Sequence, residues 1–422
     1  MTPRHAPALV VEPSALFPPL SGVGYYTREL LRRYEAFPDH FPIRILGSRW
    51  VLKPWQGPAD IHLARVSEAT GYPVDPLTKL TPSALDARLR ESNLRHPLPV
   101  DIFDEPGTRV FFYPNYVGPP LCQSPSVPVI YDFSYLRYPH ILKAKSVDYM
   151  RRYLPPTIRQ ATRVVVISES IKIELMQFFG VPAEKIDVVY PAIDHAAFRR
   201  DIPWPVREHV RRKHGLEGDF IFSLSTVEPR KNFPRLIQAY ALLPASVRAV
   251  TPLVVAGGKG WKNEDVFTTI RGLGLEAQIR FLGYIDEEDR APLMREAALF
   301  VLPSLYEGFG MPVLEAMACG APVVTSSRGA LAEVGGDAVV DVDPLLPEDI
   351  AKGMLSVLTD AALERRLAEA GPVRARLFTW ETSAKALAAS FARAAAEGGR
   401  APARWARTLR SVLSSRVFRN PD

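Results

Sequence analysis

The chain has 422 residues, of which 47% are apolar and 23% charged. This composition excludes a disordered, collagenous or coiled-coil protein, and the length predicts two or three domains. The formal charge of +6 is too small an excess to indicate a nucleic-acid-binding protein, so no nucleic-acid partner is expected.

Short runs of β-branched residues alternate with helical patterns in both halves, which is typical of parallel sheets covered by helices. The predicted strands of the first half are Ala8 to Glu12, Ile43 to Gly47, Arg109 to Tyr113, Val127 to Asp132, Arg163 to Ser168 and Asp187 to Tyr190. Those of the second half are Phe220 to Thr226, Pro252 to Gly257, Ile279 to Gly283, Leu299 to Pro303, Pro322 to Thr325 and Ala338 to Val342.

A polar stretch from about His195 to Glu217 separates these two sets of strands. The pattern predicts an α/β protein with two Rossmann-like, doubly wound domains. Ligands of such folds bind at the carboxyl ends of the strands, here in a cleft between the two sheets.

The cysteines and the apolar runs bear on where the protein works. Cys122 and Cys319 stand far apart and outside any metal-binding spacing, so neither a disulfide framework nor a zinc site is expected. The N-terminal residues have no apolar run long enough for a signal peptide, and no stretch reaches the roughly 18 to 20 apolar residues of a membrane span. A cytoplasmic protein is predicted, with any membrane contact peripheral.

The most informative segment runs from Leu299 to Gly320 and reads LFVLPSLYEGFGMPVLEAMACG. A strand ends at Pro303, a loop carries Glu307, and a helix is predicted to open near Met311. Amides that are free at such a helix start form an anion site. The amides expected to do so belong to Gly310, Met311 and Val313.

Two carboxylates flank this expected anion site. Glu307 lies in the loop, and Glu315 lies in the opening turns of the helix and leans back toward the same ligand. Carboxylates repel an anion, so they should face its hydroxylated parts. A nucleotide sugar fits, because it has hydroxyls on both sides of a diphosphate.

A second segment, VEPRKN, supplies positive charge after the strand FIFSLST. Arg230 and Lys231 at this strand-to-helix turn can neutralise a leaving diphosphate without a metal ion. No plausible metal cluster is recognised in the sequence, and neither a metal nor a cofactor is expected.

The segments EPRKN, GGKGW, FLGYI, EGFGMPVLE and ALAEVGGDAVVDVDPLLPEDIA, and SGVGYYTREL in the first half, resemble retaining glycosyltransferases of family four. Their fold, GT-B, has two Rossmann-like domains that face each other across a cleft. The resemblance extends from about Leu9 to Phe391 and is thin between Trp50 and Val110. It implies an acceptor domain at 1–200, a donor domain at 201–378 and a closing helix at 379–397 that crosses back to the first domain.

The resemblance also implies residue roles in the transfer of a hexosyl unit from a nucleotide diphosphate sugar to an acceptor hydroxyl, with retention of configuration. Glu307 would bind the donor sugar and Glu315 the ribose. The remaining expected donor contacts are Arg230 and Lys231 at the diphosphate, Gly22 and Gly24 where the first domain approaches it, and the backbone around Ile285 at the base.

One position departs from the family pattern. Many relatives have His-Asp at the end of the strand before the cleft, whereas this chain has Tyr131 and Asp132, expected on the acceptor and sugar side. Tyr131 can keep a hydrogen bond, but a phenol with an ordinary pKa of about 10 is not a base near neutral pH.

The substrates are less closely defined than the chemistry. GDP-mannose is the first expected donor, followed by a UDP-hexose or a deoxysugar nucleotide, and the acceptor is expected to be a glycan or a lipid-linked glycan of polysaccharide assembly. The alternatives are a nucleotide-sugar epimerase, a glycogen- or sucrose-type synthase, and a non-catalytic sugar-binding protein.

Simpler interpretations stand beside these. By residue type alone, Glu307 would be a solvated loop carboxylate and Arg230 with Lys231 a solvated pair. The tail at 398–422 holds six Arg and one Asp after residue 399 and predicts a basic amphipathic helix. It fits an anionic membrane surface, and it equally fits a helix packed on the body of the protein.

Overall fold

The computed structural model describes residues 7–17, 20–46, 68, 71–73, 101 and 107–399. Within them all the predicted strands are present, with bounds that differ by a few residues at most, and they form two parallel six-stranded sheets. The predicted α/β fold is confirmed. The tail from residue 400 lies outside the described residues.

The first sheet has the strand order β2-β1-β3-β4-β5-β6. Its strands are β1 (Ala8–Val11), β2 (Ile43–Ile45), β3 (Arg109–Tyr113), β4 (Ser126–Ile130), β5 (Val164–Val166) and β6 (Ile186–Val188). The helices around it are α1 (Gly22–Tyr34), α2 (Ser134–Arg137), α3 (Ala144–Gln160) and α4 (Glu169–Phe179), with 3₁₀ turns at Pro13–Leu16, Pro139–Ile141 and Ala183–Lys185.

The second sheet has the order β12-β11-β10-β7-β8-β9. Its strands are β7 (Ile221–Leu224), β8 (Leu253–Ala256), β9 (Ile279–Gly283), β10 (Leu299–Leu302), β11 (Val323–Ser326) and β12 (Val340–Val342). The helices that follow the first sheet along the chain are α5 (Trp204–Lys213), α6 (Phe233–Ala241), α7 (Ala245–Arg248), α8 (Glu264–Leu273), α9 (Glu287–Glu296), α10 (Met311–Ala318), α11 (Ala330–Gly335), α12 (Pro347–Thr359), α13 (Ala361–Ala375) and α14 (Trp380–Glu397), with 3₁₀ turns at Pro229–Lys231 and Gly336–Ala338.

Helices cover both faces of the second sheet, so its central strands are apolar on both sides. Phe222 on β7 pairs with Phe300 on β10 and belongs to one core. Ile221 and Leu299, one residue earlier on each strand, belong to the core on the opposite face. Burial on both faces explains why these strands read as continuous apolar runs.

Strand order reverses between β7 and β10, because β8 and β9 extend to one side and β11 and β12 to the other. A parallel sheet opens a crevice at the carboxyl ends of two such strands, since their connections run to opposite faces. The segments that carry Arg230 and Glu307 follow β7 and β10. The topology therefore brings the two most informative sequence segments to one place.

The last described helix, α14, packs on the first domain. Phe391 contacts Tyr34 of α1 and Phe112 of β3, with ring centroids 5.2 Å and 5.0 Å apart. Near the end of the helix, Glu397 pairs with the buried Arg163 at 2.6 Å. Among the described residues, no helix is both long and apolar enough to cross a membrane.

Candidate active site

The centre of the site is a cluster of opposite charges at the crevice between β7 and β10. Arg230 Nη1 and Lys231 Nζ each lie 2.5 Å from a different carboxylate oxygen of Glu307. Arg230 Nη2 also pairs with Glu228 at 2.9 Å. The structure thus brings Glu307 together with Arg230 and Lys231, which precede it by 77 and 76 residues along the chain.

This cluster is buried, which excludes the interpretation of Glu307 and Lys231 as solvated side chains. Glu307 is 7% exposed and Lys231 9% exposed, so neither is a solvated side chain. Burial alone would raise the pKa of Glu307, but the charges of Arg230 and Lys231 outweigh it and lower that pKa to about 2. Glu307 is therefore ionised throughout the neutral range.

The turn that presents the two cations is fixed by Asn232. This residue has a positive φ of 64°, and its side-chain amide donates to the carbonyls of Pro303 at 3.0 Å and Pro344 at 2.6 Å. The amide of Leu305 donates to the Arg230 carbonyl at 2.9 Å. These bonds tie the cationic turn to the loop of Glu307. Asn232 stood inside the EPRKN segment, but sequence reasoning gave it no role.

Helix α10 begins at Met311 with Pro312 in its first turn, as the sequence predicts. The expected set of free amides is only partly present, because the Val313 amide donates to the Gly310 carbonyl at 3.0 Å. Gly310 is the N-cap of α10, and its carbonyl accepts the first hydrogen bonds of the helix, as N-cap carbonyls do. The Val313 side chain is fully buried, so this residue supports the helix start and presents no free amide.

Glu315 lies on the buried part of α10 and is 3% exposed. Its carboxylate pairs with Arg290 of α9, a residue that sequence reasoning missed. Burial raises the pKa of Glu315 to about 7, although the charge of Arg290 lowers it. Arg290 lies at the end of the first turn of α9, the helix that follows β9, and only this position after a strand end could have pointed to it.

A cavity of about 850 Å³ lies between the two domains. Glu315, Arg290, Met311 and Ile285 line it on the second domain. Gly22, Tyr26 and Trp380 line it on the opposite side. Its volume is in the range of sites for small molecules and cofactors.

The cavity does not reach the charge cluster, since Glu307, Arg230 and Lys231 are not among its lining residues. The first domain closes this end, because the Gly308 backbone is so near the Tyr131 carbonyl that a Cβ on residue 308 would lie 2.0 Å from that oxygen. The charge cluster and the cavity are therefore separate features of the boundary between the two domains.

Two glycines of the first-domain loop differ in role. Gly22 opens α1 and lines the cavity, with nothing within 4 Å of an added Cβ. Gly24 does not line the cavity, and a Cβ there would lie 2.5 Å from the Ala15 carbonyl. The missing side chain of Gly24 lets α1 pack against the preceding 3₁₀ turn, and its expected approach to the diphosphate stays a prediction.

Tyr131 and Asp132 lie beside the cluster and already have partners. The Tyr131 hydroxyl donates to the Pro114 carbonyl at 2.7 Å, and burial raises the pKa of this phenol well above its ordinary value. Asp132 accepts from the amide of Ser134, the first residue of α2, at 2.9 Å and from its hydroxyl at 2.7 Å. Tyr131 lines the cavity, whereas Asp132 does not.

Comparison with known proteins identifies the family. The model for glycosyl transferases group 1 matches residues 206–374, and that for glycosyltransferase family 4 matches residues 20–197. The chain is 32% identical over 272 residues to O-antigen chain mannosyltransferase B of Escherichia coli, covering 64% of this chain and 71% of that one. This chain belongs to the family 4 glycosyltransferases. The predicted resemblance is confirmed.

Two further comparisons concern a second relative by sequence and a solved structure of similar fold. The serotype-specific mannosyltransferase WbdA of Escherichia coli is 32% identical over 236 residues, which is 56% of this glycosyltransferase and 29% of WbdA. The crystal structure of Anabaena HepE in complex with UDP and glucose superposes with a TM-score of 0.62 at 18% identity, covering 92% of this chain and 100% of that one. The GT-B fold is thereby confirmed.

Across the residues described in the structure, no group of three or more His, Cys, Asp or Glu side chains is arranged to hold a metal ion. The cations available at the cluster are Arg230 and Lys231.

Proposed function

We propose that this glycosyltransferase moves a mannosyl unit from GDP-mannose to a hydroxyl of a glycan or lipid-linked acceptor, with retention of configuration. The carrying observation is the buried cluster in which Arg230 and Lys231 hold Glu307 at the strand-order reversal. Mannose as the transferred sugar is supported by the mannosyltransferase relatives. Guanine as the base rests on the family resemblance.

The cations have a defined task in such a reaction. Glycosyl transfer leaves a nucleoside diphosphate, and its negative charge must be stabilised as the glycosidic bond breaks. Arg230 and Lys231 are balanced here by Glu307 and Glu228, so a diphosphate would compete with Glu307 for them. The guanidinium of Arg230 and the ammonium of Lys231 can supply the stabilisation that a divalent ion gives in other enzymes. We therefore propose metal-independent transfer.

Glu307 fits an orienting role better than a nucleophilic one. Each of its carboxylate oxygens is bonded to a cation, and its pKa is lowered to about 2, so the carboxylate is a weak nucleophile. We therefore propose attack of the acceptor on the same face from which the diphosphate leaves. The departing phosphate oxygen takes the proton of the acceptor hydroxyl, and Glu307 positions the donor sugar.

Nucleotide binding is assigned to the cavity. Glu315 at its wall would accept hydrogen bonds from ribose hydroxyls, and the backbone around Ile285 would meet the base. The amides of Gly310 and Met311 at the start of α10 would face the phosphates, together with Gly22 of the first domain.

The test is a panel of nucleotide sugars, with and without a mannose-terminated oligosaccharide, assayed for nucleoside diphosphate release and for product by NMR. GDP-mannose should turn over fastest, the oligosaccharide should accelerate it, and the product should be α-linked even in EDTA. Lys213→Met serves as control for Lys231→Met, because Lys213 pairs with Asp286 and Asp289 away from the cluster. Isomerisation of a donor without acceptor would identify an epimerase, and no turnover of any donor would reject the proposal.

Peripheral membrane binding through the basic tail is proposed from sequence alone. Vesicles with and without anionic lipid should distinguish the full chain from one ending at Gly399. Equal binding of both chains to anionic vesicles would show that the tail does not mediate membrane binding.

A further inference from the structure

Helix α4 of the first domain contacts the second domain on both sides of Glu307. Three residues of the second domain are involved, namely Tyr306 and Gly308, which flank Glu307, and Glu333 on α11. Their partners are Ser168, Glu174 and the first amides of α4. We call these five residues and two amides the clamp.

Tyr306 joins the first domain to the charge cluster. Its hydroxyl donates to Glu174 Oε2 at 2.5 Å and accepts from the Phe133 amide at 2.8 Å. Its carbonyl accepts from Arg230 Nη1 at 2.9 Å. Arg137 pairs with the other oxygen of Glu174 at 2.8 Å, which fixes the orientation of that carboxylate. Any shift of the first domain is therefore transmitted to the residue before Glu307.

Gly308 is held on the other side of Glu307. The Ser168 hydroxyl donates to the Gly308 carbonyl at 2.9 Å, while Ser168 Oγ also accepts from the Ile171 amide at 3.2 Å. Ser168 thus caps α4 and holds the loop at once. With Tyr306 and Gly308 both bonded to the first domain, Glu307 between them has little freedom to move.

Glu333 fastens the start of α4 from the second domain. Its carboxylate accepts from the amides of Glu169 at 2.8 Å and Ser170 at 2.9 Å, and from the Tyr190 hydroxyl at 2.8 Å. Amides in the first turn of a helix have no partner within the helix, and the positive end of the helix dipole attracts a carboxylate. A group from one domain therefore completes a helix of the other.

We propose that the clamp residues Ser168, Glu174, Tyr306 and Glu333 are positioning residues that couple the approach of the first domain to the placement of Glu307. None of them lines the cavity, so they act on the transfer step without contacting the nucleotide. The proposal rests on the role of Glu307 in the proposed function. It predicts that weakening the clamp lowers the turnover number and leaves donor affinity nearly unchanged.

The decisive variants are Tyr306→Phe, which removes one hydroxyl, and Glu333→Gln, which turns an acceptor oxygen into a donor facing backbone amides. The matched controls are Tyr240→Phe and Glu296→Gln. Tyr240 donates to the Thr251 carbonyl at 3.1 Å, and Glu296 pairs with Arg207 and Arg211, all away from the cleft. Turnover of GDP-mannose is measured per GDP-binding site, so that unfolded chains do not count.

Each clamp variant should lower kcat by about tenfold, since small displacements of a reacting group are costly, and change the donor KM by less than about threefold. The controls should change neither. Tyr306→Phe combined with Glu174→Gln should lower kcat by less than the product of the two single losses, because both variants affect the same Tyr306–Glu174 bond. If one of these variants does not fold, Ser168→Ala replaces it, and the same changes in kcat and donor KM are expected.

Hydrogen exchange gives a readout that needs no activity. Amides between residues 304 and 310 should exchange faster in the clamp variants than in the wild type and the controls. If the wild type turns over no donor, the proposed function fails. The exchange rates of residues 304 to 310 still test whether the clamp holds the loop of Glu307. Unchanged kcat and unchanged exchange in both clamp variants would overturn the inference.

Discussion

The two glutamates of the segment EGFGMPVLE are both buried, yet their surroundings move their pKa values in opposite directions. Glu307 has a cation on each carboxylate oxygen, and its pKa is lowered to about 2. Glu315 has Arg290 alone, and burial raises its pKa to about 7. The two identical side chains are thus suited to the different tasks proposed for them: a fixed charge at the sugar for Glu307, and a hydrogen-bonding group at the ribose for Glu315.

The largest effect is expected from removing one of the two cations that distinguish the surroundings of Glu307 from those of Glu315. Lys231→Met keeps the length of the side chain but leaves Glu307 with Arg230 only. Transfer should fall by about a hundredfold, because a preorganised charge at the leaving group is lost. The pKa of Glu307 should rise toward its ordinary value, so the residual rate should decrease at acid pH. Steady-state rates from pH 5 to 8 check both, with Lys213→Met as control, and a rate equal to wild type would contradict the role of Lys231.

The next largest effect is expected where the loop of Glu307 contacts the first domain. This contact should affect the transfer step, which is assigned to Glu307, and not the nucleotide binding assigned to Glu315. In Gly308→Ala, the new Cβ would lie 2.0 Å from the Tyr131 carbonyl, so the loop or the domain must shift. We expect kcat to fall by about tenfold while nucleotide affinity stays within about threefold. Gly272→Ala on α8 has open space around the added Cβ and serves as the control. A tenfold loss of GDP affinity without loss of kcat would assign Gly308 to the nucleotide instead.

A smaller effect concerns the titration of Glu315. An ionised carboxylate accepts two ribose hydroxyls better than a protonated one, so donor KM should decrease as pH rises through about 7. Glu315→Gln should raise KM by about tenfold or less and abolish this pH dependence. Donor KM measured between pH 5.5 and 8.5 tests it, and a pH dependence that persists in the variant must come from another group.

The pKa shifts of Glu307 and Glu315 predict opposite changes in the free energy of unfolding as pH rises. The pKa of Glu307 is lower in the folded chain, so its contribution is present at neutral pH and lost as pH falls from about 4.5 toward about 2. The pKa of Glu315 is raised, so folding becomes less favourable as pH rises from about 4.5 through about 7. Denaturant unfolding of Glu315→Gln should lack this second slope, and an unchanged slope would place its source elsewhere.

The smallest effect is expected at the position where the family has histidine. Tyr131→Phe loses the hydroxyl bond to the Pro114 carbonyl, which should cost about 1 kcal/mol of stability and change kcat by less than about threefold. Thermal unfolding and initial rates check this. A loss of tenfold in kcat would show that the Tyr131 hydroxyl takes part in the transfer.

The sequence predicted the fold and the meeting of the two motif segments, because both depend on periodicity and on where parallel strands end. It did not predict which charges pair. The Glu307 ion pairs join β7 to β10, and the Arg290 pair joins α9 to α10, and periodicity carries no signal for such contacts. The Val313 amide was misjudged for a local reason, since the carbonyl of the N-cap Gly310 accepts from it and the exact N-cap could not be read from the sequence. The clamp was missed because it depends on contacts between domains.

Single-turnover rates at saturating GDP-mannose test the central claim, that Glu307 serves the transfer step and Glu315 the binding of the donor. Saturation removes differences in affinity, so the rate reports transfer alone. Glu307→Gln should be slower than wild type by about a hundredfold or more, and Glu315→Gln should stay within about threefold. Equal losses in the two variants, or a larger loss in Glu315→Gln, would contradict the division of roles.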